Sequence, residues 1–557
     1  MFLPNIHITA LSNQAVLPRE FLIYVASLMF VTFLLQREYL KYNTFFIIAS
    51  VFCVWQFFSL LWTNDLGSGL RESLNYFYFL LCAFAFFQIE DSHRRRIVVL
   101  ALVAAVSISA LIGILQNFDW NPLQLFQASL PSSTFVNKNL AASVCMLFLP
   151  ISIVFLLTAE DQHTKILFLV PNVLLLSFIL VSQSKGVWLA CIMIFLVAVI
   201  FVRMNVGLRN VQASVKSNLP YIIIVVILSL IIFLLPGVRK SDKEFSELVS
   251  NSMTTRLGMY RDSIPLILDS PVHGVGSGSF RVQFRSVPGG PYASQHAEND
   301  KYVTRLHNDH LEILVEYGLV GFMLWASMIY LIIYQAFKYL LDEKVNSKEK
   351  PIAFAFLLGI AGMMIHSLFS FPVRLASTGG LFWICIGLLY SYKKNSSTKE
   401  KIHSNSINRY LTLILYLPLF IFSVYFVSGK AIGSYYLQKA EDALFISGDC
   451  GQTKDLLKKS IDMGGMNTRL AHIQTNTYDI CGDKSPSDML LQMNNILEYE
   501  PNQSLALVVK GKLSFVMGNY FDAMNHFRTA LLINPHSNKA LMGLNESLKR
   551  AKLEDKN

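Results

Sequence analysis

Residues 305–321 read RLHNDHLEILVEYGLVG, a polar opening that runs into an apolar helical stretch. The opening holds Arg305, His307, Asn308, Asp309 and His310. An imidazole titrates close enough to neutrality to take a proton from a hydroxyl. Ionisable groups at membrane depth are costly, which makes them functional candidates. Others of this kind are Lys185 in VSQSKGVWLA, Arg256 and Arg261 in TTRLGMYRD, Glu316, and Arg374, which follows His366. Cations outnumber carboxylates among them, and most stand near the ends of apolar runs. Such a set favours an anionic ligand. A diphosphate fits, because Arg grips phosphate oxygens bidentately and Lys acts as a point charge. Each residue also has a plainer reading. A lone Lys or Arg at a span end snorkels to the headgroups, and His310 and His366 read as packed side chains. His307 and His310 alone make a poor metal site, since no carboxylates or cysteines converge with them. No paired acidic motif of the kind that holds a metal for sugar nucleotides stands in an outer loop, so metal-independent chemistry is expected.

The elements that must position these groups are membrane helices. The 557 residues are 53% hydrophobic and 15% charged, against about 25% charged in soluble domains. A span needs about 20 mostly apolar residues. Twelve runs qualify, roughly 21–35, 44–62, 75–89, 97–115, 139–158, 165–182, 186–203, 219–235, 312–337, 352–371, 375–391 and 410–428. The expected fold is all-α, a polytopic helical bundle, because a helix closes its own hydrogen bonds in lipid. No small-residue cleavage site follows the first run, so no cleavable signal peptide is expected. Lys and Arg crowd alternate short loops, as at Arg94, Arg95, Arg96, Arg203, Arg209 and Lys216, while the other short loops hold only Arg71, Lys138, Lys185 and Arg374. The positive-inside bias makes the first set cytoplasmic. Both termini and the long segment 236–311 are then expected outside. The net charge of +10 needs no nucleic acid to explain it.

Within 236–311, an amphipathic stretch predicts helices near the membrane surface. HGVGSGSF predicts a tight turn, since no strand precedes it to make a dinucleotide site. Cys53, Cys82, Cys145, Cys191 and Cys385 lie in spans and read as small packing residues. Cys450 and Cys481 lie in the polar segment after residue 428, where a disulfide is permitted if the segment is outside. Two domains are expected, 1–428 in the membrane and 429–557 as a helical tail. In the tail, GNYFDAMNHFRTALLINP places Ala523, Phe527 and Ala530 on one helical face and stops at Pro535, 34 residues after Pro501. That period, with Gly511, Gly518 and Tyr520, resembles the tetratricopeptide repeat. Such a tail offers a binding surface for a protein partner; a packing cap on the membrane domain is the plainer reading.

HNDHLEILVEYGLVG, with His307, Asn308, Gly318 and Gly321, resembles the O-antigen ligase and polymerase superfamily, which includes protein O-oligosaccharyltransferases. STFVNKNLAA, SQSKGVWLA and TTRLGMYRDSIPLILDSPVHGVGSGSF are similar to other segments of that family in the same order. The resemblance covers about residues 20–391. It implies transfer of a glycan from undecaprenyl diphosphate to an acceptor hydroxyl outside the inner membrane, with inversion at the sugar carbon and no cofactor. It also implies that His307 positions or deprotonates the acceptor and that Arg256 stabilises charge on the diphosphate, with Lys185, Arg261, Arg374 and Asn308 as further substrate contacts. Lys185 stands where the family usually has arginine, and Ser370 where many members have an acidic residue. Lipid A core, a growing polysaccharide and a protein Ser or Thr are the implied acceptors. A transporter or a scaffold presenting the tail are rivals from other classes. A transporter would place ionisable groups mid-span, and a scaffold leaves the histidine and arginine pattern without a role.

Overall fold

The computed structural model describes residues 16–121, 129–203, 214–236, 245–284, 303–342, 349–392, 401–403, 406–482, 485–535 and 537–554. The polar loop expected over 285–304 lies almost wholly outside the described residues. Eight helices open the chain: α1 (Val16–Leu35), α2 (Thr44–Phe58), α3 (Leu66–Phe87), α4 (Ser92–Asn117), α5 (Lys138–Thr158), α6 (Gln162–Val181), α7 (Lys185–Arg203) and α8 (Leu219–Leu234). The segment between α8 and the next span forms α9 (Phe245–Asp269), followed by a glycine-rich turn and one short helical turn, Phe280–Gln283. Then come α10 (Asp309–Leu341), α11 (Lys350–His366), α12 (Ala376–Ser391) and α13 (Ser406–Asp442).

Each of the twelve apolar runs falls on one of these helices. Among the described residues, eight helices are long and apolar enough to cross a membrane, while α8, α11 and α12 are apolar but shorter. The remaining one, α3, carries Arg71 and Glu72 near its start. The chain is a membrane protein of the all-α class. One short ribbon interrupts that rule: Tyr39–Lys41 pairs antiparallel with Lys401–His403. The core is aromatic, with Phe45, Phe46, Phe87 and Tyr390 in mutual ring contact. Apolar side chains such as Ile192, Phe195, Leu228 and Ile231 stay exposed on α7 and α8, as expected for helices that face lipid.

The residue pattern of α10 is helical throughout, yet the helix breaks at Gly318, with φ 62° and ψ −167°. That conformation suits glycine, and a Cβ there would lie 2.3 Å from the Val272 carbonyl oxygen. The opened backbone is met by residues 271–276. Leu319 and Val320 donate to the Pro271 and Val272 carbonyls (2.9 and 3.2 Å), and Val275 and Gly276 donate to those of Val315 and Glu316 (3.0 and 2.9 Å). The expected tight turn is present in the same segment. Gly276 sits at φ 94°, where a Cβ would meet Thr63 Cα at 2.8 Å. Gly318 is therefore a break point as well as a packing position.

The expected domain boundary at 428/429 falls inside α13, which runs on unbroken to Asp442. Its 37 residues span about 55 Å, well beyond a ~30 Å hydrocarbon core. The helix thus joins the bundle directly to the tail, α14 (Cys450–Gly464), α15 (Thr468–Cys481), α16 (Pro486–Tyr499), α17 (Ser504–Val516), α18 (Tyr520–Ile533) and α19 (Asn538–Glu554). Ala523, Phe527 and Ala530 are buried together, and Gly511 and Gly543 leave room for the Phe527 ring. The tail is tied back to the bundle by Tyr499, whose hydroxyl donates to Asp65 (2.9 Å), the cap of α3.

Cys450 and Cys481 are disulfide-bonded, and the other five cysteines are free, four of them buried. The bond joins the first residue of α14 to the last of α15, closing the open end of that hairpin across 31 positions. A loop of that length predicts about 3–4 kcal/mol of stabilisation. Replacing both cysteines with serine should therefore speed proteolysis of the tail at least tenfold while leaving cleavage elsewhere unchanged. Equal cleavage rates would show that the bond adds nothing.

Candidate functional site

The polar opening of residues 305–321 gathers at one end of the bundle. His307 takes a left-handed backbone conformation, φ 58°, just before α10. Such a conformation is rare for a residue with a Cβ, so its neighbours must hold it. Asn308 caps α10 through Oδ1, which accepts from Leu311 N at 3.0 Å. Asp309 N donates to the Ser367 carbonyl (2.9 Å), and Asp309 Oδ2 accepts from Val373 N (3.0 Å). Tyr260 on α9 lies 3.0 Å from the His307 carbonyl and 2.9 Å from that of Leu368, and donates to either. The His307 ring stays half-buried, edge-on to Phe371 with centroids 4.9 Å apart.

Arg256 sits one turn before Tyr260 on the same face of α9, and its charge acts on both His307 and His366. Burial and then the Arg256 charge bring His307 down to about 4, with Glu312 working the other way. The imidazole is neutral at physiological pH and can accept a proton. His366 in turn abuts the start of α7, where a Cβ on Gly186 would lie 3.0 Å from its Nδ1. Gly186 follows Lys185, and Lys185 is an electrostatic neighbour of Lys138, the first residue of α5. An unbroken series of neighbours therefore runs from Lys138 through Lys185, His366 and Arg256 to His307. Lys185, Arg256 and His307 belong to one end of the bundle.

Two expected contacts fall elsewhere. Arg261, five residues on from Arg256, lies about 140° round the helix. Its side chain is 62% exposed and stands beside Asp262 (3.3 Å). Arg374 is fully buried rather than offered to a ligand. It pairs with Glu72 and Glu316 and, at 2.6 Å, with Glu312. Three carboxylates already meet its charge, which argues against the expected diphosphate contact. Asn308 has its acceptor oxygen engaged in capping.

Around Arg374 lies an ionic cluster that sequence reasoning missed. Arg305 reaches Glu72 (2.7 Å) and Glu312 (2.9 Å), and Arg281 reaches Glu72 (3.2 Å). Burial opposes the Arg305 charge, but Glu72 and Glu312 outweigh it and hold its pKa above the ordinary value. The signal for Glu72 was a carboxylate beside an arginine at the edge of an apolar helix. The signal for Tyr260 was its spacing of four from Arg256. His310 has the packed role expected of it: its ring contacts Trp325 Nε1 (3.0 Å), Ser367 Oγ (2.8 Å) and the Met364 carbonyl (3.1 Å). His366 is buried as expected, with its ring against the backbone of Gly186.

Residues 170–326 match the O-antigen ligase family model. The matched segment contains Lys185, Arg256, Arg261, His307 and Asn308, together with Glu312 and the break at Gly318. His366, Arg374 and the whole tail lie beyond it. The match supports the ligase superfamily and implies glycosyltransferase-like activity with a lipid-linked glycan donor. No curated protein matches the chain.

Proposed function

We propose that this protein moves a glycan from undecaprenyl diphosphate to an acceptor hydroxyl, with inversion at the sugar carbon. The observation that carries the reading is a half-buried His307 whose carbonyl is held by Tyr260, one turn from Arg256 on α9, within the residues that match the family model. The acceptor oxygen bonds to the anomeric carbon as the carbon–oxygen bond to the diphosphate breaks. The hydroxyl proton goes to His307, and the departing electron pair goes to the diphosphate. Arg256 meets that growing negative charge, and Lys185 adds a point charge without the planar fork of an arginine. The leaving group is already activated, so neither nucleotide nor cofactor enters the scheme. In this reading the site and the tail lie on the periplasmic side of a bacterial inner membrane, an orientation that the loop charges support.

The acceptor we favour is a protein Ser or Thr, recognised with help from the tetratricopeptide-like tail. Tyr499 anchors that tail to the cap of α3, which carries Glu72 of the site cluster about two turns further on. Lipid A core and a growing polysaccharide are the alternatives. Purified protein given lipid-linked glycan and each acceptor in turn should glycosylate the protein. Transfer to lipid A core or polysaccharide alone would overturn the acceptor assignment, and transfer to none would overturn the reading as a whole. Arg256→Ala should lower the turnover number by about 10²–10³-fold with membrane insertion unchanged. Wild-type turnover in that variant would remove Arg256 from the chemistry.

A further inference from the structure

We propose that Glu312 is the positioning residue for His307, acting through the main chain without touching substrate; this rests on the function proposed above. Glu312 is wholly buried, so no ligand reaches it. Its two oxygens do separate jobs. Oε2 accepts from Leu306 N at 2.8 Å, fixing the Arg305–Leu306 peptide unit, one unit before the one that joins Leu306 to His307. Oε1 accepts from Arg305 (2.9 Å), one residue further back, and from Arg374 (2.6 Å). One side chain on the first turn of α10 thus grips the two residues leading into the left-handed His307. Tyr260 holds the carbonyl on the far side. Arg374 ties the grip to Glu72 on α3, so the imidazole is referenced to the bundle rather than to its own loop. A mispositioning of about 1 Å can cost on the order of 10²-fold in rate.

Two variants separate this role from plain structural support. In Glu312→Leu/Arg305→Met one charge of each sign is removed, so the cluster stays balanced, and an apolar pair of similar volume preserves folding. The hold on Leu306 N is lost. We expect a melting midpoint within a few degrees of wild type, affinity for undecaprenyl diphosphate within about threefold, and turnover lower by about 10²-fold. In Glu312→Gln the carboxamide oxygen still accepts from Leu306 N, while its NH2 group faces two guanidinium donors. The midpoint should fall, but turnover per folded molecule should stay within about tenfold. Acylation of the His307 ring should quicken in the double variant alone.

Turnover that recovers with stability in the double variant would overturn the proposal. So would a glutamine variant that loses as much turnover as the double. If the double variant does not fold, the glutamine variant decides: turnover kept supports the proposal and turnover lost overturns it. Wild-type protein without transfer would count against the proposed function instead, and the acylation rates would then decide the positioning role.

Discussion

His307→Ala should lower glycan transfer by about 10²–10⁴-fold, the usual worth of a positioned general base, with insertion and donor binding close to wild type. The pH dependence gives a second measurement on the same residue. In the free protein His307 sits at about 4, so its limb of the kcat/KM profile should be flat at neutrality and fall only below about pH 5. An anionic donor beside the ring favours the imidazolium, so the same limb in kcat should lie at higher pH. Stability follows the same group. Its pKa is lower in the folded chain (about 4) than its ordinary value of 6.5. Between those values the unfolded chain binds more protons, so this contribution is complete above pH 6.5 and is lost as pH falls towards 4. A wild-type rate in the alanine variant, or a kcat/KM limb centred at 6.5, would take His307 out of the proton-accepting role.

The second large effect is on folding. Arg374→Ala should destabilise the protein by about 3–5 kcal/mol, because it leaves buried carboxylates without a cation. Glu316 is the most exposed to this loss, since Arg374 is the one ion-pair partner shown for it among the described residues. Lysine should not rescue the variant, because a single ammonium cannot reproduce a planar fork set among three carboxylates. The measurement is the yield of monodisperse protein and its melting midpoint. A variant that folds normally and binds the donor more weakly would return Arg374 to the ligand.

Much of this arrangement was legible in the sequence, for physical reasons. Apolar runs of membrane length mark helices because backbone groups in lipid must pair within their own segment. His307 and Arg256 stood out because charge is costly where they lie. The partners of Arg374 were hidden by distance along the chain: Glu72 is 302 residues away, and nothing local marks a carboxylate as facing an arginine so remote. Glu316 stood out as an ionisable group within an apolar run and Glu312 did not, and only the fold shows both turned inward onto Arg374. The break at Gly318 was invisible because apolar spacing continues on both sides of it. For Cys450 and Cys481 the residue types were plain, but whether the sulfurs meet depends on how the α14–α15 hairpin closes.

The same break bears on how the chain is assembled. Residues 271–276 leave the ribosome before Gly318 does, so the strip that completes α10 already exists when the helix is made. Until the two meet, the helix has amides and carbonyls that lipid cannot satisfy, so the pair must dock as the span settles into the bilayer. A chimaera that exchanges the outer segment between proteins would therefore have to carry both pieces together, or leave a transmembrane span unable to finish itself.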